Sequence, residues 1–198
     1  ISVSAFLLNR SSDLDLDART LISLDLSSFR ADNLITIKNM FLGCRQLKTL
    51  IIDNFNTGKV TDMENTFKYC TSLTSLKMEA FSTKSAITLN SMFEECSSLT
   101  SLDLSNFDTG KVTTMSNMFK NCDSLEKIVL SSKFNTASVE IMSNMFQYCS
   151  SLTSIDLSSF NVNSVTDFSQ MFHSCSKISQ LDFSNFKTGS AETFGRSR

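Results

Sequence analysis

The sequence predicts an α/β leucine-rich-repeat solenoid of about seven 26-residue units, each a strand, a turn and a short helix, with the strands in one parallel sheet. The first observation is that six cysteines recur at intervals of 26, 26, 26, 27 and 26 residues, and two sets of phenylalanines follow the same interval. The second is that each unit passes from an alternating apolar pattern to apolar residues at helical spacing. Repetition at this length is typical of solenoids, in which each unit packs against its neighbours.

The repeated residues define the registers of the units. The cysteines are Cys44, Cys70, Cys96, Cys122, Cys149 and Cys175, and the two phenylalanine sets are Phe29, Phe55, Phe81, Phe107, Phe134, Phe160 and Phe186, and Phe41, Phe67, Phe93, Phe119, Phe146 and Phe172. The one longer interval comes from an extra residue in the segment 131–134. An insertion that leaves the other registers intact is expected in a surface turn.

The strand prediction is based on the pattern L-x-x-L-x-L, formed in one unit by Leu99, Leu102 and Leu104. Side chains alternate across a strand, so Leu102 and Leu104 are expected inside, and Ser101 and Asp103 outside. The pattern predicts seven strands, centred near residues 24, 50, 76, 102, 128, 155 and 181.

The helix prediction is based on the second half of the unit. Met115, Met118, Phe119 and Cys122 are spaced i, i+3, i+4 and i+7, which indicates one face of a two-turn helix. Residues 61–64 in another unit have the pattern of a capping box. Neither a two-turn helix nor a short strand is stable alone, so the units must support one another.

The ends of the chain depart from the repeat. Residues 1–17 are predicted to form a degenerate N-terminal cap, with Ala18 where later units carry cysteine. Residues 18–198 are predicted to form the solenoid, with the last unit cut short in an eighth half-unit at Phe194. Because the sequence begins at Ile1 without a signal peptide, we expect a mature or excised piece of a longer protein.

Composition argues against several classes of protein. The formal net charge is −2, from 18 basic and 20 acidic residues, so neither nucleic acid nor an anionic membrane is an expected partner. The longest apolar run, residues 5–8, is too short for membrane insertion. One histidine, His173, is little material for acid–base or zinc chemistry. We therefore expect no enzyme, no cofactor and no metal site.

The cysteines allow two interpretations in an extracellular protein, disulfides or buried thiols. Side chains on a ladder point in parallel, which keeps neighbouring Cβ atoms near 5 Å apart, whereas a disulfide needs about 3.8 Å. Free cysteine also packs as a small hydrophobe. This favours six reduced, buried thiols.

Four carboxylates share the central outward position of the strands: Asp25, Asp103, Asp156 and Asp182. A calcium site and a solvated acidic ladder are both consistent with this register, and only Asp156 and Asp182 lie in adjacent units. The ladder is the favoured interpretation. His173 is expected on the surface, without a partner.

The unit C-x-x-L-T-S-L-D-L-S-N-F-D-T-x-x-V-T-x-M-x-x-M-F occurs almost whole in residues 96–119 and again in residues 149–172. It resembles the BspA-like leucine-rich repeats, the surface-protein repeat of mycoplasmas, lactobacilli and other host-associated microbes. The resemblance covers about residues 18–194 and implies a solenoid on a secreted or surface-anchored protein, often called an adhesin. The family pattern contains no catalytic residues, and fold alone does not determine function.

Two functions remain open at this stage. The first is a binding module that contacts an extracellular protein or glycan through the concave face of the sheet, with Ile51 and Val129 as apolar anchors. The second is a structural spacer or surface-coat element that self-associates end to end. The expected ligand-binding residues on the concave face are Thr49, Ile51, Asp53, Ser75, Lys77, Glu79, Ser101, Asp103, Lys127, Val129, Ser154, Asp156, Gln180 and Asp182.

Overall fold

The computed structural model describes residues 20–29, 32–184 and 186. Their strands are β1 (Ser23–Asp25), β2 (Thr49–Ile51), β3 (Ser75–Lys77), β4 (Ser101–Leu104) and β5 (Lys127–Leu130). Alternating leucines place one face of each strand in the core, where Leu50 and Leu102 are buried. Five of the seven predicted strand positions are thus confirmed. The N-terminal cap predicted for residues 1–17 and the half-unit predicted from Phe194 lie outside the described residues.

The strands predicted near residues 155 and 181 are wrong, because both segments are irregular. The extra residue after β5 lengthens the turn there, so that Phe134 N–H bonds the Ser131 carbonyl, whereas in the preceding unit Phe107 N–H bonds the Leu104 carbonyl at the end of β4. Without a strand near residue 155, a strand near residue 181 has no partner, and a lone short strand is not stable.

The strands pair in parallel but in two separate groups, β1-β2-β3 and β4-β5. Leu24, Leu50 and Leu76 lie side by side in the first group, and Leu102 lies beside Ile128 in the second. No strand pairing joins β3 to β4 in this described part of the chain. The sheet thus consists of two panels.

A second ladder runs through the residues that begin the turn segments, and it is continuous. It consists of single-residue parallel bridges that link Thr36, Asp62, Thr88, Thr114, Ile141 and Asp167 in that order. It spans six units without a break, including the junction at which the strand ladder is interrupted. We call it the turn-side ladder.

The predicted two-turn helix is also wrong, since the segment consists of successive turns. Met40 N–H donates to the Ile37 carbonyl of its own unit. Phe41 N–H donates instead to the Thr66 backbone carbonyl of the next unit, at 2.8 Å. A helix would direct every N–H to its own chain. Here alternate N–H groups bind the neighbouring unit, and the same pattern recurs along the solenoid.

Two residues in each turn segment have a positive φ, which excludes a helix because helical φ is about −63°. The first position contains Asn39, Asn65, Ser91, Asn117, Asn144 and Gln170, and the second contains Gly43, Tyr69, Glu95, Asn121, Tyr148 and Ser174, all with φ between 54° and 75°. Asparagine and glycine tolerate this conformation best. The repeated asparagine was therefore a sequence signal for turns.

The residues of the proposed capping box begin a turn instead. The Asp62 carboxylate accepts a hydrogen bond from Glu64 N–H at 3.0 Å, two residues along. Thr61 N–H bonds the Ile35 carbonyl of the preceding unit. Thr36, Thr88, Thr114 and Asp167 make the same local cap at the start of four other turn segments, whereas Ile141 at this position has no side-chain oxygen to do so.

The core is a column of stacked rings. Phe41, Phe67, Phe93, Phe119, Phe146 and Phe172 follow one another with centroids 5.2–5.7 Å apart and ring planes within 13° of parallel. The first five rings are at most 1% exposed. Offset stacking of this kind adds to the free energy gained by burial.

Two polar ladders lie within this core. The Cys70 thiol donates to the Phe41 carbonyl of the preceding unit at 3.1 Å, and each later cysteine does the same one unit further on. The cysteines are free and buried, except for the half-buried Cys175. The second ladder is formed by the buried threonines Thr57, Thr83, Thr109 and Thr136, whose hydroxyls donate to carbonyls of the next unit.

The inserted residue lies in a surface turn, as predicted. Ser132 and Lys133 are exposed, and Phe134 returns to the core. The Ser131 hydroxyl accepts the Lys133 N–H at 3.0 Å and so closes the longer turn.

The stacked core leads to a first prediction. Phe119→Ala should lower the free energy of unfolding by about 3–5 kcal/mol, because it leaves a cavity between two stacked rings. Phe183→Ala is the matched control, since Phe183 is 47% exposed and should lose far less. Urea denaturation measures both. Equal losses would contradict the placement of the Phe119 column in the core.

The positive φ values lead to a second prediction. Asn117→Ala should destabilise the protein by about 1–2 kcal/mol, because alanine avoids the left-handed region, whereas Asn117→Gly should be close to neutral. Gly43→Ala should cost a similar free energy of unfolding. The cost would come from the left-handed backbone alone, because an added Cβ would meet no atom within 4 Å. Thermal unfolding of the three variants measures this. An Asn117→Ala protein as stable as the Asn117→Gly protein would contradict the left-handed conformation at this position.

The cysteine ladder leads to a third prediction. All six thiols should be titratable in denaturant without reductant, and in native buffer Cys175 should react first. Burial raises the pKa of the Cys175 thiol to about 11, and it raises those of Cys96 and Cys149 well above the ordinary value. Mass spectrometry after timed alkylation identifies the order. Fast native labelling of Cys96 would contradict its burial.

Candidate functional site: the outward face of the strands

The outward side chains of the strands form two short columns on each panel. In the first panel Asp25, Ile51 and Lys77 are paired in register. In the second panel Asp103 lies beside Val129. Each apolar side chain is therefore next to a charged one on a neighbouring strand. The parallel column one step back contains Ser23, Thr49 and Ser75 in one panel and Ser101 and Lys127 in the other.

The structure brings together only some of the fourteen predicted residues. Thr49, Ile51, Ser75, Lys77, Ser101, Asp103, Lys127 and Val129 lie on paired strands. Asp53 and Glu79 follow strands in the first panel. Ser154, Asp156, Gln180 and Asp182 are exposed but lie outside the strands.

The two apolar residues of the face differ in exposure. Val129 is 39% exposed, as expected for an anchor, whereas Ile51 is half-buried between the side chains of its neighbouring strands. A partner would gain more apolar burial at Val129 than at Ile51.

The aspartates have a local structural role that sequence analysis missed. The Asp103 carboxylate accepts the Ser105 N–H at 2.9 Å, and Asp25, Asp156 and Asp182 cap their own turns in the same way. Hydrogen bonds from the Ser105 N–H and hydroxyl lower the pKa of Asp103. Asp53 instead accepts the Glu79 N–H of the next unit at 3.3 Å. Part of the acidic register is therefore used by the fold, and the spacing of D-x-S was the signal for it.

Lys77 provides the positive charge of the first panel. It is exposed, and its charge contributes, after the hydrogen bonds from Ser27, to lowering the pKa of Asp25 two strands away. The face thus combines the ammonium groups of Lys77 and Lys127 with carboxylates and two apolar side chains.

The remaining sequence candidates form no second site. His173 is half-buried and packs edge-on against Tyr148, with ring centroids 5.4 Å apart, so it does have a partner. Across residues 20–29, 32–184 and 186 no group of three His, Cys, Asp or Glu side chains is placed to hold a metal ion. Within the same residues no helix has the length and hydropathy of a membrane span.

The parallel strands and the 26-residue register define the class of protein, a leucine-rich-repeat solenoid. The T. pallidum leucine-rich repeat protein has the same fold, with a TM-score of 0.51 at 18% identity over 89% of this chain and 87% of its own. At this identity the likeness shows the fold alone.

The family follows from the sequence itself. The chain matches the family described as "Mycoplasma protein of unknown function, DUF285" over residues 16–127 and 88–196, and it belongs to that family. The resemblance to BspA-like repeats is thereby confirmed. No curated protein matches the chain.

Two further solved structures are similar, both at 23% identity. A leucine-rich repeat protein from Eubacterium ventriosum is matched over 73% of this chain with a TM-score of 0.48. A leucine-rich cell surface protein from Faecalibacterium prausnitzii is matched over 72% with a TM-score of 0.47. The chain spans 34% of the length of each.

The two kinds of carboxylate lead to a fourth prediction. Asp103 should titrate below its ordinary pKa of about 3.8, and Asp123 above it, because burial and the nearby charge of Glu95 raise the pKa of Asp123. The contribution of Asp103 to stability is then present above pH 3.8 and is lost as pH falls through its lower folded value. Ionised Asp123 has the opposite effect on stability. Its charged form is disfavoured in the folded protein, so its ionisation lowers the free energy of unfolding as pH rises.

Carboxyl carbon NMR shifts against pH measure both values. Ser105→Ala is the control, since it removes the hydroxyl but keeps the N–H, and should raise the pKa of Asp103 only in part. An Asp103 that titrates with or above Asp123 would contradict the turn-capping role.

Proposed function

We propose that this chain is a non-enzymatic binding module at the cell surface, which docks an extracellular protein or glycan through the outward face of its strands. The observation that carries the proposal is the contrast between the two faces of each strand. The inward positions are apolar in every strand and are buried or half-buried in the core, whereas the outward positions change from unit to unit among acid, base, hydroxyl and apolar side chains. Solenoids commonly use such an extended surface for binding.

The arrangement of charges supports recognition of a specific partner. Ile51 lies between Asp25 and Lys77, and Val129 lies beside Asp103. A docked partner would cover the apolar side chains, while the flanking charges select its orientation. The interrupted pairing between β3 and β4 divides the face into two areas, each with one apolar residue.

We extend the proposal to the sixth and seventh sequence units, which place Ser154, Asp156, Gln180 and Asp182 beyond the second panel. Their exposure is consistent with a face that continues past β5. The surface location is supported by the resemblance of the repeat to BspA-like surface proteins. Self-association end to end stays a separate prediction, which light scattering over a range of concentrations tests.

A paired substitution tests the face and is the fifth prediction. Ile51→Asp with Val129→Asp should abolish or strongly weaken binding to any ligand found on an array of purified extracellular-matrix proteins and glycans. Neither residue lies in the core, so thermal unfolding should change little. Ile87→Asp is the matched control, because Ile87 is 50% exposed on the turn side.

The array gives clear outcomes. Loss of binding in the double variant and retention in the control would support the face. Equal binding by both variants would place the ligand elsewhere, and loss in both would indicate a general effect of added negative charge. Absence of any ligand on the array would favour the structural spacer.

A further inference from the structure

A row of lysines runs along a surface distinct from the strand face. Three consecutive units each carry one lysine in the turn that follows the core phenylalanine: Lys59 and Lys111 at one position of the repeat, and Lys84 one residue earlier. All three are exposed. In the described part of the chain, the cations in ion pairs are Lys38 and Lys68, and none of these three takes part. The row is thus positively charged in a chain whose net charge is −2.

The buried threonine ladder holds these turns at a regular spacing. The Thr57 hydroxyl donates to the Ser82 carbonyl and accepts its N–H, both at 2.7 Å. Thr83 makes the same pair of bonds with Asp108 at 2.8 Å. Each turn is therefore hydrogen-bonded to the next, and Thr109 N–H also bonds the carbonyl of Lys133. The lysines are therefore carried by turns that are held in succession along the solenoid.

Two of the lysines reach back over the preceding unit. The Lys84 side chain lies over Gly58, where an added Cβ would be 3.0 Å from its Cε and 3.4 Å from its Nζ. Lys59 Nζ donates to the Asn33 side-chain oxygen at 3.4 Å, also one unit back. Both ammonium groups are therefore directed along the stack of turns, where one linear anion could contact them in succession.

Amide groups in the same turns add neutral donors. The side-chain carbonyls of Asn56 and Asn135 accept the N–H groups of Gly58 and Ala137, at 3.1 and 2.9 Å. Their NH₂ groups are directed away from these local bonds, on exposed residues. An anionic ligand would find charged and neutral donors along one line.

We propose that this row binds a linear sulfated polysaccharide, of the glycosaminoglycan class. A linear polyanion matches a row of cations that repeats along the solenoid axis, and lysine suits sulfate as a point charge. Single-stranded nucleic acid fits less well, because it requires exposed aromatic rings for base stacking. The neighbouring Phe55, Phe81 and Phe107 are each only 1% exposed. This proposal is independent of the strand-face proposal, because it uses other residues.

Asp108 is the acidic residue within the row. Its carboxylate accepts the Gly110 N–H at 3.3 Å. Asn56, Asn135 and Asn161 occupy the same position in other units and accept the equivalent N–H. Asparagine therefore keeps the turn but removes the negative charge.

Heparin binding by the full chain, followed against salt concentration, tests the row. The variant Lys59→Gln/Lys84→Gln/Lys111→Gln should bind about tenfold or more weakly, and the slope of log affinity against log salt should fall by about three. The matched control is Lys48→Gln/Lys120→Gln/Lys177→Gln, which removes the same charge elsewhere and should lose much less. Equal losses in the two variants, or no heparin binding by the native chain, would overturn the proposal.

Asp108→Asn provides a test in the opposite direction. It should strengthen heparin binding while thermal unfolding stays unchanged, and an unchanged or weaker affinity would contradict the row. Chemically desulfated heparin should not bind. Tighter binding of oligo-dT, or of phosphatidylglycerol vesicles, through the same three lysines would show that the polyanion is of another class.

Discussion

The structure depends on how the turn segments share their backbone N–H groups. Alternate groups close a turn within their own unit, and those between them bind the next unit, as Met40 and Phe41 do. A helix would keep all of these bonds within one unit and would leave neighbouring units joined by side chains alone. Sharing them makes every unit a template for the next, which is why units this short are stable only in a stack.

Three side-chain ladders follow from this sharing. Once the backbones are in register, identical side chains lie above one another, so the phenylalanines stack, the thiols reach the carbonyls of the preceding unit and the threonine hydroxyls bond the next turn. A buried hydroxyl or thiol is costly without a partner, and here the repeat itself supplies the partner. This is the physical reason for the high content of phenylalanine, cysteine and threonine at fixed positions.

The strand side is less constrained than the turn side. Its pairing is interrupted between β3 and β4 and ends with β5 at Leu130, although the turn-side ladder continues to Asp167. The outward strand positions therefore vary without loss of the stack. The strand-face proposal uses this freedom at Val129, whereas the lysine row lies on turns that the threonine ladder holds, as at Lys84.

The repeat, the inward and outward faces of the strands and the buried cysteines were predictable from sequence, because a 26-residue period and the alternation around Leu102 leave one register that buries them all. The run of turns in the second half of each unit was not predictable in this way. The spacing of Met115, Met118, Phe119 and Cys122 suits a helix and a run of turns equally well. Only the tertiary structure decided between them, since hydrogen bonds to the neighbouring unit are absent from any local pattern. In the same way, sequence analysis predicted Asp103 only as an exposed acidic residue, and the structure showed that its carboxylate accepts the Ser105 N–H and caps the turn.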